Sequence, residues 1–176
     1  MEEVLFKTRH GSYLYGLNHA DSDEDFYTVV NRPRGRRHKW AKQTIINGED
    51  SMVLDLPTWL KLCDKGVPQA LEAMFAPNPL VDNLAPLRNA YRAGGPVRET
   101  YARTITNFVK DGEFKRRRHA LRLSLNLRDL MRYGRFNPVV KPHQKMWMDT
   151  VAKVLGDDDL LDLAFETAYT THYERY

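Results

Sequence analysis

The chain of 176 residues carries 27 Lys and Arg against 23 Asp and Glu, a formal net charge of +4, and 42% of it is apolar. That length fits one domain, or a domain with a helical appendage, and the apolar share suffices for a core. The lone cysteine, Cys63, excludes an internal disulfide and a cysteine-rich zinc site, and no apolar run nears the roughly 20 residues of a membrane span.

The start, MEEVLFKTRHG, is too polar for a secretory signal, so the expected location is a reducing cytoplasm with no membrane partner. Residues 3–9, EVLFKTR, predict a first strand, and a Gly-Ser turn leads into a short helix over 12–18. Residues 24–31, EDFYTVVN, predict a second strand. The segment 32–42 contains RPRGRRHK and reads as a basic exposed loop. Residues 43–47 and 50–54 flank Asn47-Gly48, a favoured hairpin turn. Asp55 caps the next helix, with Pro57 in its first turn and Gly66 at its end. Residues 68–76 begin another helix, and 80–92 read as helical with an interruption near Pro86. After the break at Gly94-Gly95-Pro96 the chain reads as helices over 97–111, 113–133, 142–155 and 158–172. Strands first and helices later predict an α+β fold, with a core over 1–93 and a helical region over 97–176 packed on it.

The chemistry is concentrated in residues 11–30, GSYLYGLNHADSDEDFYTVV. If the second strand is regular, Asp23 and Asp25 point to one face and Glu24 and Phe26 to the other. Two carboxylates held close repel unless a cation lies between them. Mg²⁺ takes one or two carboxylates and completes its shell with water and substrate phosphates. Gly11 permits a tight turn, Ser12 supplies a hydroxyl, and a helix start there presents free N–H groups to phosphate. The stretch therefore suits a metal-bound nucleoside triphosphate. A two-metal site needs a third carboxylate. Asp50 is the leading candidate, with Glu49 and Asp55 as alternatives, and a one-residue register slip would exchange Asp50 and Glu49. Further along, Arg118 and Arg122 lie four apart on one helix face, suited to triphosphate oxygens or an RNA backbone. Glu72 and His119 are supporting candidates, as is Ser22 beside the first acid. The chain has no Gly-rich lysine loop of the P-loop kind, no zinc-ligand cluster and no GxSxG turn.

Gly11-Ser12, Tyr15-Gly16 and Ser22-Asp23-Glu24-Asp25 together resemble the DNA polymerase β-like nucleotidyltransferase superfamily, in particular the branch associated with RNA repair. Residues 55–75, with Gly66-Val67-Pro68 and the ending Glu72-Ala73-Met74-Phe75, resemble that branch too, as does the basic helical stretch from His119 to Arg122 ending at Gly134. The resemblance covers most of 5–138 and implies a short mixed sheet flanked by helices with the acids at one end. It implies transfer of a nucleoside monophosphate from an NTP to an acceptor hydroxyl. Asp23 and Asp25 would bind two Mg²⁺ ions (Mn²⁺ an alternative), Asp50 would complete the site, and Gly11 and Ser12 would hold the outer phosphates. The basic segments and the family association favour an RNA 3′ end, tRNA-like, as acceptor. The alternatives are a protein hydroxyl, as in toxin-like nucleotidylation, a small molecule, or a non-catalytic nucleotide- or RNA-binding module. Glu24 departs from the branch, which often has a small apolar residue between the aspartates.

Overall fold

In the first strand, β1 (Val4–His10), Phe6, Thr8 and His10 are buried while Lys7 and Arg9 turn outward, the period-2 pattern of a half-buried strand. β1 pairs antiparallel with β2 (Asp25–Val30). The hairpin β3 (Ala41–Ile46) and β4 (Glu49–Asp55) adds to the other edge of β2, with β4 parallel to it. A short fifth strand, β5 (Val81–Asp82), pairs antiparallel with β1. The sheet order is β3-β4-β2-β1-β5. The computed structural model describes residues 3–31, 41–46 and 49–170. The basic loop expected over 32–42 lies almost wholly outside them, as does the Asn47-Gly48 turn.

Eight helices occur among the described residues: α1 (Ser12–Tyr15), α2 (Leu56–Asp64), α3 (Pro68–Met74), α4 (Ala85–Ala90), α5 (Val97–Asp111), α6 (Phe114–Tyr133), α7 (Pro142–Val154) and α8 (Asp157–Tyr169). The fold is α+β, as expected, and the helix spans follow the sequence reading closely from residue 97 onward. α2 starts where the Asp55 carboxylate accepts the Thr58 N–H at 2.8 Å. Trp59 of α2 stacks on Phe6 with ring centroids 5.3 Å apart and donates its indole N–H to the Ala70 carbonyl. That one side chain ties α2 to the sheet and to α3. Gly66 adopts a φ of 73°, and a Cβ there would stand 2.7 Å from Cα of Val97, so the first residue of α5 seats directly on the end of α2.

The sequence reading of 80–92 as one interrupted helix is corrected. Residues 81–82 add to the sheet edge, and α4 then begins with Pro86 in its first turn, where the missing N–H costs nothing. Arg88 of α4 is buried, donating to the carbonyls of Met74 and Ala76 and to Asp82. It satisfies the end of α3 and holds β5 in place.

α5 buries Val97, Tyr101, Ile105 and Val109, one stripe at four-residue spacing, against α6. α6 is polar in composition yet central, because α5, α7 and α8 all pack on it. Arg117 illustrates how: its guanidinium reaches the carbonyls of Ala152 and Leu155 and the Asp157 carboxylate, joining the end of α7 to the start of α8. Among the described residues, no helix is long and apolar enough to cross a membrane.

Candidate active site

β1 ends at His10, and Gly11 then takes φ 64° and ψ −142°, a region open to glycine. The chain turns into α1 and returns through residues 17–24 to Asp25, the first residue of β2 and the register partner of His10. The turn and the acid therefore meet. A Cβ on Gly11 would lie 3.1 Å from Oδ2 of Asp25. Asp23 precedes the strand instead of lying within it, so it shares a site with Asp25 through the shape of this segment, not through strand alternation. Ser22 shapes that segment by accepting the His19 N–H at 2.9 Å.

Parallel pairing puts Asp50 opposite Asp25, on the same face as His10 and Tyr27. Glu49 lies on the other face, 3.7 Å from Lys7, whose ammonium sits 4.4 Å over the Phe26 ring. Asp55 is committed to the α2 cap. Of the three candidates for a third acid, Asp50 alone shares the face of Asp25. Glu24 departs from a small apolar residue without penalty, because the Arg9 guanidinium meets it at 2.6 Å.

A cleft of about 820 Å³ opens over this face. Gly11, Ser12, Ser22, Asp23, Asp25, Glu72, Arg118, His119 and Arg122 all line it. Among the described residues Asp50 does not. Both its carboxylate oxygens are taken by the Gln43 side-chain amide, at 2.9 and 2.7 Å. Its charge is still felt: burial raises the Asp25 carboxyl above the usual carboxylate range, repulsion from Asp50 and then Asp23 raises it further, and His10 opposes them. Among the described residues, no group of three or more His, Cys, Asp or Glu side chains could hold a metal ion. The expected convergence of three acids is thus not preassembled. The pair Asp23 and Asp25 does fit Mg²⁺, which is held by one or two carboxylates with phosphates supplying further ligands.

α6 and α7 bring basic residues to the same cleft. Lys115, Arg118 and Lys145 line it, with Arg118 held by Asp149 at 3.3 Å. Lys115 belongs to the basic run KRRRH at 115–119, which the sequence marks as a candidate basic rim for nucleotide or nucleic acid, whereas nothing in the sequence singles out Lys145. Lys115, Arg118, His119 and Arg122 recur at intervals of three, one and three, which is one face of a helix, and that periodicity was the available signal.

Arg122 behaves otherwise than expected. It is buried and committed to Glu72, with Nη1 to Oε1 at 2.8 Å. The second oxygen of Glu72 accepts the Tyr15 hydroxyl at 2.5 Å and stands 3.4 Å from Nε2 of His10. The guanidinium also lies 3.7 Å over the Tyr15 ring and donates Nε–H to Nδ1 of His119 at 3.1 Å. Burial would raise the Glu72 carboxyl, but Arg122, then His10 and the Tyr15 hydroxyl, outweigh it and bring it down to about 2. Arg122 and Glu72 therefore form the floor of the cleft, a buried ion pair joining α3 to α6, and the cations placed to meet a ligand are its neighbours.

The family model described as the RNA repair pathway DNA polymerase beta family matches residues 2–163. No curated protein matches the chain. Among solved structures, a nucleotidyltransferase-like protein from Exiguobacterium sibiricum 255-15 is similar at 10% identity and a TM-score of 0.33, over 94% of this chain and 67% of that one.

Proposed function

Since the chain belongs to the RNA repair pathway DNA polymerase beta family, we propose that it transfers a nucleoside monophosphate from an NTP to an acceptor hydroxyl at the end of an RNA. The observation that carries this reading is the mixed lining of one cleft: the Gly11–Asp25 corner with Asp23, and Lys115, Arg118 and Lys145 from α6 and α7. A triphosphate carrying a divalent cation calls for both kinds of partner. Asp23 and Asp25 would hold Mg²⁺, which when bound neutralises phosphate charge and lowers the barrier to attack. Arg118 keeps a buried Nε–H without a partner among the described residues, a donor available to a phosphate oxygen. Gly11 leaves room for the ligand to approach the backbone beside Ser12. The acceptor oxygen forms a bond to the α-phosphorus as the bond to the bridging oxygen breaks. Pyrophosphate leaves, and the hydroxyl proton passes to a nearby carboxylate or to solvent. Asp50, the register partner of Asp25, is the residue proposed to take it.

One observation favours a second reading, a nucleotide-binding module without transfer: Asp50 is engaged by Gln43. Incubation with each α-labelled NTP, Mg²⁺ and total RNA separates the two. Label appearing in RNA, abolished by Asp25→Asn, supports transfer. Nucleotide binding with no pyrophosphate released under any acceptor supports the module.

A further inference from the structure

His119 is held in one tautomer by its own helix. Nε of Arg122 is always protonated and donates to Nδ1 of His119 at 3.1 Å, so Nδ1 is an acceptor and the ring proton of the neutral imidazole resides on Nε2. Arg122 cannot swing away from this contact, because it is buried, paired to Glu72 at 2.8 Å and stacked over Tyr15 at 3.7 Å. The Tyr15 ring meets the imidazole edge-on at a centroid distance of 5.8 Å, which fixes the ring plane. His119 lines the cleft, and its Nε2 has no hydrogen-bond partner among the described residues. Lys115 and Arg118 stand on the same stretch of α6 and line the same cleft.

We propose that His119 is a fixed, neutral hydrogen-bond donor that holds a phosphate oxygen of the bound nucleotide through Nε2. This deepens the reading above and rests on it. The phosphate is favoured over a ribose hydroxyl because the neighbouring cleft groups, Lys115 and Arg118, are donors without acceptor capacity. An acceptor-only ligand suits that set. The groups that face the ring keep it neutral. Burial and the charges of Arg122, Arg118 and Lys115 on α6 lower its pKa to about 3 against the opposing pull of Glu72 from α3. His119 therefore donates without becoming a fixed charge, and it cannot serve as a proton shuttle near neutrality. With Nδ1 occupied, it cannot ligate a metal through that atom.

Two measurements test this. Long-range ¹H–¹⁵N correlation spectra of the wild-type protein should show the His119 ring protonated at Nε2 alone, unchanged from about pH 8 to about pH 5. An Nδ1–H tautomer, or an imidazolium at pH 6, would overturn the assignment. Titration calorimetry with ATP, inorganic tripolyphosphate and adenosine then locates the ligand atom. His119→Phe should weaken ATP and tripolyphosphate by about tenfold alike and leave adenosine unchanged, whereas His119→Gln, which keeps a donor, should recover much of the loss. Loss confined to ATP and adenosine would overturn the phosphate assignment, and equal affinities in all variants would overturn the donor role. Wild-type protein that binds neither ATP nor tripolyphosphate would overturn the nucleotide reading and, with it, the ligand named here, and Asp25→Asn under the same conditions separates a failed metal site from a failed donor.

Discussion

Gly11 lies under the carboxylate of Asp25: the first atom of any side chain at residue 11 would stand 3.1 Å from Oδ2. With φ at 64°, residue 11 is also in a conformation that L-residues resist. Gly11→Ala should therefore displace the acid and strain the turn. The expected result is at least a tenfold loss of nucleotidyl transfer with a stability loss of about 1–2 kcal/mol, read by denaturant melts. Gly94→Ala, where an added Cβ meets nothing within 4 Å, is the matched control and should be silent.

Ionised Asp25 should weaken the fold around it. Its carboxyl is raised in the folded protein, by burial first and by Asp50 next. The sign follows from linkage: the protonated form is favoured by folding, so this contribution to stability is present in acid and is lost as pH rises through the folded value. At neutral pH, Asp25→Asn should raise the melting temperature while abolishing pyrophosphate release. Added Mg²⁺ should raise the melting temperature of the wild type and leave the variant unmoved. A variant that melts lower than wild type at pH 7 counts against this account.

The Glu72–Arg122 pair should behave in the opposite way. Glu72→Gln leaves a guanidinium buried without its counter-charge, at an expected cost of about 3–5 kcal/mol. Replacing both, with Glu72→Leu and Arg122→Met, should cost clearly less than the two single changes added together. Because the folded carboxyl is depressed to about 2, its contribution is present at neutral pH and declines as acid approaches that value. Additive losses in the double variant would show that the pair is not coupled.

The third acid is tested by its neighbours in sequence. Asp50→Asn should lower transfer by about a hundredfold, as expected for a lost proton acceptor, while Glu49→Gln, on the far face beside Lys7, should change it less than about twofold. Gln43→Ala removes the amide that occupies Asp50 and should not impair transfer. Pyrophosphate release assays on the three variants decide the assignment.

Much of this could be read from the residues alone. The alternation of Phe6, Thr8 and His10, the Asp55 cap with Pro57, and the apolar stripe on α5 are local patterns, and local patterns set those elements. The Gly11-Ser12 turn and the two aspartates line one cleft. β5 escaped because two residues have no periodicity and exist as a strand only by pairing with Phe6 and Lys7. Arg88, Arg117 and Arg122 escaped for a different reason. Charge in a sequence reads as surface, yet each of these guanidiniums is buried, Arg88 and Arg117 on carbonyls left open at helix ends as well as on a carboxylate, and Arg122 on a carboxylate, an imidazole nitrogen and a tyrosine ring. Which arginine faces the ligand and which holds the frame depends on neighbours set by the tertiary fold: the carbonyls and carboxylates that meet Arg117, Arg118 and Arg122 are between 31 and 50 residues distant.

The bond between Glu72 and Arg122 also constrains how such a protein can be cut or recombined. A fragment ending at the Gly94-Gly95-Pro96 break would contain Asp23, Asp25, Asp50 and the whole sheet, yet it would leave Glu72 without its counterion and the core without the side chains that α5 and α6 bring to it. Such a piece should fail to fold without the remainder supplied in trans. Chimaeras between relatives would have to inherit residues 72 and 122 from one parent. The helices after residue 97 thus complete the charge balance and the core of the part that carries the acids.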